Sequence, residues 1–170
     1  MALGRGHDFA NLLMLPLCLY YTPREFYLAF TAGYLVGTFL LSPDLDLPHS
    51  KPSKRWKGFS LLWRPYQHLS KHRGLSHIPL LGTSVRLGYL TLLFLFSYFV
   101  LLGFSQKYAP GLKELLLLLD PLEFLSSLAE KEWVFYFALG VVASELFHVA
   151  LDLLTSFFKG FRIARSKRRR

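Results

Sequence analysis

Residues 133–158, WVFYFALGVVASELFHVALDLLTSFF, decide how this chain is read. The segment is long enough to cross a bilayer as a helix, which takes about 20 apolar residues. It nevertheless carries Glu145, His148 and Asp152. Successive helical residues turn by about 100°, so these three side chains fall on one face. A carboxylate inside an apolar span costs several kcal/mol unless it is paired, hydrated or bound to a cation. Two carboxylates and a histidine on one face therefore point to a shared partner, a metal ion or a proton path. A salt bridge to another helix, with Arg86 as its cation, is the plainer alternative.

Working outward, three more apolar segments precede it. Phe9–Thr22 is short and contains Pro16. Phe26–Leu41 carries Gly33 and Gly37, a G-x-x-x-G spacing that permits close helix approach. The two are joined at Pro23-Arg24-Glu25 and read as a helical hairpin. Ile78–Phe104 is long enough for a full crossing. Apolar residues make up 52% of the 170 and mean hydropathy is +0.32, more than a soluble domain of this size can bury. The expected fold is an all-α polytopic membrane helix bundle: one domain over 1–170, with about four membrane-embedded helices near 9–22, 26–41, 78–104 and 133–158. Leucine-rich stretches between 105 and 132 read as amphipathic interfacial helices, and 159–170 as a basic tail.

The charge pattern tests that topology. Four crossings place both termini and the polar stretch Ser42–His77 on one side. That side then holds fifteen of the 20 Lys and Arg residues, against four opposite and Arg86 within a span. Lys and Arg concentrate on cytoplasmic loops, so this face is cytoplasmic, and the expected location is a bacterial or archaeal-type inner membrane. The basic residues fit topology and anionic headgroups of the lipid bilayer better than nucleic acid, which is not favoured. Trp56, Trp63, Pro65 and Tyr66 read as interfacial anchors. Cys18 is the lone cysteine, so no disulfide or thiolate cluster forms and any metal takes nitrogen and oxygen ligands. Met1–Tyr21 lacks a small-x-small cleavage pattern, and Leu17 before Cys18 departs from a lipoprotein signal. An uncleaved segment is expected.

Under this topology the remaining polar clusters reach the same membrane level as His148 and Asp152. His7-Asp8 opens the first span and Asp44-x-Asp46 follows the second, whose helix Pro43 ends. In an extended segment the two aspartates point in different directions: they bind different cations, or one binds and the other orients a histidine, or they form an ordinary Asx turn. In His72-Arg73-Gly74-Leu75-Ser76-His77, Gly74 permits a turn that brings the histidines together. Arg73 offers a fixed cation for phosphate or carboxylate, and Ser76 is a candidate N-cap. The bland reading is a solvated polar loop. His49 and His68 read as exposed histidines.

Taken in order, H-D, S-P-D-L-D, H-R-G-L-S-H and H-x-x-x-D resemble a family of uncharacterised bacterial metal-binding membrane proteins, near the YdjM-type membrane-bound metal-dependent hydrolases. The resemblance covers essentially the whole chain. It implies a divalent metal, zinc first and manganese or iron next, as one or two ions. Carried over by position, His7, Asp44, Asp46, His72, His77, His148 and Asp152 are the candidate ligands. H-x-x-x-D is also similar to zinc-dependent phospholipase C, but a second clear H-x-x-x-E helix is absent from this chain.

Seven candidate ligands exceed the four of a closed structural zinc site. They suit a metal-dependent hydrolase of a small phosphoester or lipid-headgroup substrate, with Arg73 on the substrate and Asp8 or Glu145 as base or support. A structural metal staple or a basic-tail adaptor is the non-catalytic alternative. A transporter fits less well, because there is no repeat symmetry. Oligomeric state is not readable from these features.

Overall fold

The computed structural model describes residues 4–70, 78 and 80–167, and among them there is no strand. The expected hairpin is present. Helix α1 (Gly4–Tyr20) carries Pro16, a 3-10 turn spans Arg24–Phe26, and α2 runs Tyr27–Phe39. Helix α2 makes the largest helix contact of the fold with α8 (Glu132–Lys167). The contact depends on the absence of side chains. A Cβ on Gly33 would overlap the Phe137 carbonyl, and one on Gly140 would overlap the Phe30 carbonyl. Gly37 meets the Ser144 hydroxyl in the same way. The G-x-x-x-G reading therefore holds, and it acts between α2 and α8. Asn11 of α1 donates to the Ser144 carbonyl at 3.2 Å, and Tyr34 of α2 donates to the Asn11 carbonyl at 2.8 Å. These buried bonds tie the three helices at one level.

The polar stretch folds into a cap. Its elements are a 3-10 turn Pro43–Asp46, α3 (Lys51–Arg55), a 3-10 segment Lys57–Trp63 and α4 (Arg64–Leu69). Ser50 caps α3 by accepting from the Ser53 amide at 3.2 Å. The cap has its own core of Leu41, Leu45, Trp63 and Tyr66. This corrects the reading of the aromatics as interfacial anchors. Trp63 and Tyr66 are buried, and Trp56 is half-buried and donates to the Leu40 carbonyl at 3.1 Å. The cause is local, because Leu41 and Leu45 leave α2 with apolar faces that only the cap's large rings can cover. Pro65 does remain exposed.

Helix α5 (Leu81–Tyr108) starts later than the apolar run, since Leu80 sits at a left-handed φ of 69°. Residues 105–132 contain α6 (Pro110–Leu117), which packs on α5, and α7 (Pro121–Ala129), which meets α8. Tyr98 donates to the carbonyls of Leu116 and Leu119, both at 3.0 Å, and Asp120 caps α7. The tail is not a separate element, because α8 continues through it to Lys167.

Among the described residues two helices, α5 and α8, are long and apolar enough to cross a membrane; α1 and α2, at 17 and 13 residues, fall short of the ~20 that a full crossing takes. Only 6% of the apolar window of α5 is buried within the chain, against 28% for α8.

Candidate functional site

The face of α8 that bears Glu145, His148 and Asp152 splits into two environments. Glu145 is buried and forms an ion pair with Arg86 at 2.7 Å, the side chains being 2% and 0% exposed. Its second oxygen, Oε2, accepts from the Thr83 hydroxyl. Thr83 and Arg86 lie one turn apart on α5, so that turn supplies both partners. The helix–helix ion pair, the plainer of the two readings open from sequence, is therefore the arrangement present at Glu145. Both carboxylate oxygens are committed to α5, and Glu145 joins α5 to α8 one turn below His148.

The second environment centres on His148. Its Nε2 stands 3.7 Å from Oδ2 of Asp152, one turn along α8, and 3.7 Å from Oδ2 of Asp44 in the turn after α2. Direct hydrogen bonds between such atoms lie nearer 2.7–3.2 Å. Donors held about 2.0–2.2 Å from one ion stand roughly 3–4 Å apart, so this spacing suits atoms that share a cation. The donor set, one imidazole and two carboxylates, also suits a divalent metal. Among the described residues, however, no three His, Cys, Asp or Glu side chains gather around one point. The imidazole and the carboxylates are donors of a kind that divalent metals take, but by themselves they do not form a metal-binding group.

The other candidates are distributed as follows. Asp46 is buried at 3% exposure while Asp44 stays half-exposed, so the two aspartates do point apart, although from a 3-10 turn and not from extended chain. Asp8 pairs with Arg55 at 2.7 Å. Arg55 also donates to the Phe39 carbonyl at 3.1 Å and lies 4.8 Å from the Phe39 ring centre. Asp8 thus fastens α1 to the cap. His7 is on α1, with its side chain outside the described residues. His72, Arg73, Ser76 and His77 also lie outside them. His49 and His68 are exposed, as expected.

Two partners of these residues, Thr83 on Glu145 and Arg55 on Asp8, carry little signal in the sequence. Thr83 looked like an ordinary residue near a helix start; its three-residue spacing from Arg86 was the available signal. Arg55 is one of the seven basic residues of the polar stretch, and nothing local distinguishes it from Lys54.

Residues 2–162, a span that includes every candidate ligand from His7 to Asp152, match the family described as uncharacterized metal-binding protein (DUF2227). A protein of Aquifex aeolicus, itself described only as uncharacterized, is 46% identical over 139 residues, which is 82% of this chain and 98% of that one. No solved structure matches. The family is described as metal-binding without naming the metal.

Proposed function

The chain belongs to the DUF2227 family of uncharacterized metal-binding proteins, and from that premise we propose a membrane-embedded site for a divalent cation where the end of α2 meets α8. The observation that carries the proposal is His148 placed between two carboxylates from different elements, Asp44 and Asp152, each at 3.7 Å. Zinc is the first choice for such N/O donors, with manganese or iron next, as one or two ions.

Helix register supports a choice of further donors. Asn11 meets Ser144. His7 lies one turn before Asn11 and His148 one turn after Ser144, so antiparallel α1 and α8 bring residues 7 and 148 to one level. Thr83 and Arg86 meet Glu145, and His72 and His77 precede that turn of α5 in sequence. We assign His7, His72 and His77 to the remaining positions, with Asp46 as support from the same turn as Asp44.

The activity that suits this set is hydrolysis of a phosphoester or lipid headgroup at the cytoplasmic face of an inner membrane, in the manner of the YdjM-type hydrolases. A bound cation there would lower the pKa of water and hold phosphoryl oxygens. Arg73 would bind the substrate anion, and the Glu145–Arg86 pair would fix α8 so that His148 keeps its orientation. A topology of four membrane-embedded helices, two of them shorter than a full crossing and both termini cytoplasmic, would bring the basic cap to the anionic headgroups.

The test is headgroup release from phosphatidylglycerol vesicles by reconstituted protein supplied with zinc, manganese or iron. Release should fall at least 100-fold in His148→Ala and on chelation. A second reading, a structural staple, draws on Asp44 and His148 belonging to separate elements that an ion would clamp. Retained metal with no turnover, and melting brought down by chelation, would reject the hydrolase in favour of that staple.

A further inference from the structure

On the side of α5 turned away from Glu145 lies a partly open groove of about 580 Å³ between α4 and α5. Ligand sites commonly enclose about 300–1,000 Å³. Its wall includes Tyr66, Leu69 and Ser70 from the cap side, and Val85, Gly88 and Leu92 along α5. From Val85 to Leu92 the wall runs about 10 Å along the helix axis, at 1.5 Å per residue. The edges are apolar and open: Leu69, Val85 and Leu92 are 82%, 40% and 65% exposed.

The cap side of the wall is different. Tyr66 and Ser70 are buried, and neither hydroxyl has a hydrogen-bond partner among the described residues. Hydroxyls withdrawn from water without a partner cost free energy that a ligand acceptor would recover. Two unpartnered hydroxyls thus belong to the cap side of an apolar groove whose other wall is a helix that could cross a membrane.

We propose that this groove binds one glycerophospholipid, its acyl chain lying along Val85, Gly88 and Leu92 and its ester carbonyls accepting from Tyr66 and Ser70. The exposed apolar face of α5, on a helix long enough to cross a membrane, makes a bilayer lipid the fitting occupant. This rests on the membrane reading above, but not on the metal or on hydrolysis. It would add a lipid-holding subsite on the far side of α5 from His148.

Gly88 makes the test clean, since a Cβ there meets nothing within 4 Å and a large side chain can enter the groove without disturbing the helix contacts. The probe is phosphatidylglycerol with a photoactivatable acyl chain, in nanodiscs carrying the full chain. Crosslinks should map to residues 66–92 and fall at least fivefold in Gly88→Phe. In the wild type, ester-linked phosphatidylglycerol should compete at least threefold better than its ether-linked analogue. Tyr66→Phe with Ser70→Ala should abolish that preference.

Undiminished labelling of Gly88→Phe, or equal competition by ester and ether lipids in the wild type, overturns the proposal. Metal content measured on the same preparations separates the two readings. Loss of the groove result with metal retained removes the lipid site alone, whereas labelling that persists in a protein unable to bind metal removes the metal centre alone.

Discussion

Arg86→Met should destabilise the protein by about 3–5 kcal/mol, the cost of leaving a buried carboxylate without its cation. The size follows from burial. Arg86 and Glu145 are 0% and 2% exposed at 2.7 Å, so solvent screening that reduces surface pairs to about 0–1 kcal/mol does not act here. The Thr83 hydroxyl remains on Glu145, but a single neutral donor cannot replace a guanidinium. Replacing both charges, Arg86→Met with Glu145→Met, should recover at least half of the loss, because the desolvation cost of the pair disappears along with its attraction. Thermal unfolding in detergent, with helicity as the signal, measures the two variants. A single variant as stable as the wild type would show that the pair does not join α5 to α8.

The second large effect is at the crossing of α2 and α8. Gly33→Ala and Gly140→Ala should each cost at least the ~1–3 kcal/mol of ordinary overpacking. The added methyl would meet a backbone carbonyl, Phe137 for Gly33 and Phe30 for Gly140, and a carbonyl in a helix cannot rotate aside. Separation of the helices would also stretch the bonds from Asn11 to Ser144 and from Tyr34 to Asn11. The same substitution at Gly88, which faces open space, should be neutral or stabilising by up to ~1 kcal/mol, as alanine favours helix over glycine. A set of melting curves in which all three glycines behave alike would contradict the close-approach account.

Much of this was legible in the sequence, and the reasons are physical. Spacing along one helix is fixed by geometry, so the His148–Asp152 turn and the Gly33–Gly37 ridge could be read directly. Apolar runs located α2 and α5 to within four residues at each end, but α1 begins five residues before its run and α8 ends nine residues beyond its own. Contacts between distant segments were not fixed in that way. Glu145 could have faced a cation or an arginine, and only the packing of α5 on α8 decides for Arg86. Trp63 and Tyr66 have a composition suited equally to a membrane interface and to a core, and burial against Leu41 and Leu45 decides it. The continuation of α8 into the basic tail was hidden because lysine and arginine favour helix while marking topology. Two of the histidines read from sequence, His72 and His77, lie outside the described residues, so their part in the site stays a proposal.

The central claim is that the end of α2 and the last apolar turns of α8 hold a cation together. It is tested most directly by the metal content of detergent-purified full-length protein, measured by elemental mass spectrometry after dialysis against zinc. At least one tightly held ion per chain is predicted for the wild type, with tenfold or greater loss of affinity in His148→Ala, Asp44→Asn and Asp152→Asn, and near-normal binding in His49→Ala. Less than one ion per chain, or equal retention in the His148 and His49 variants, would contradict it.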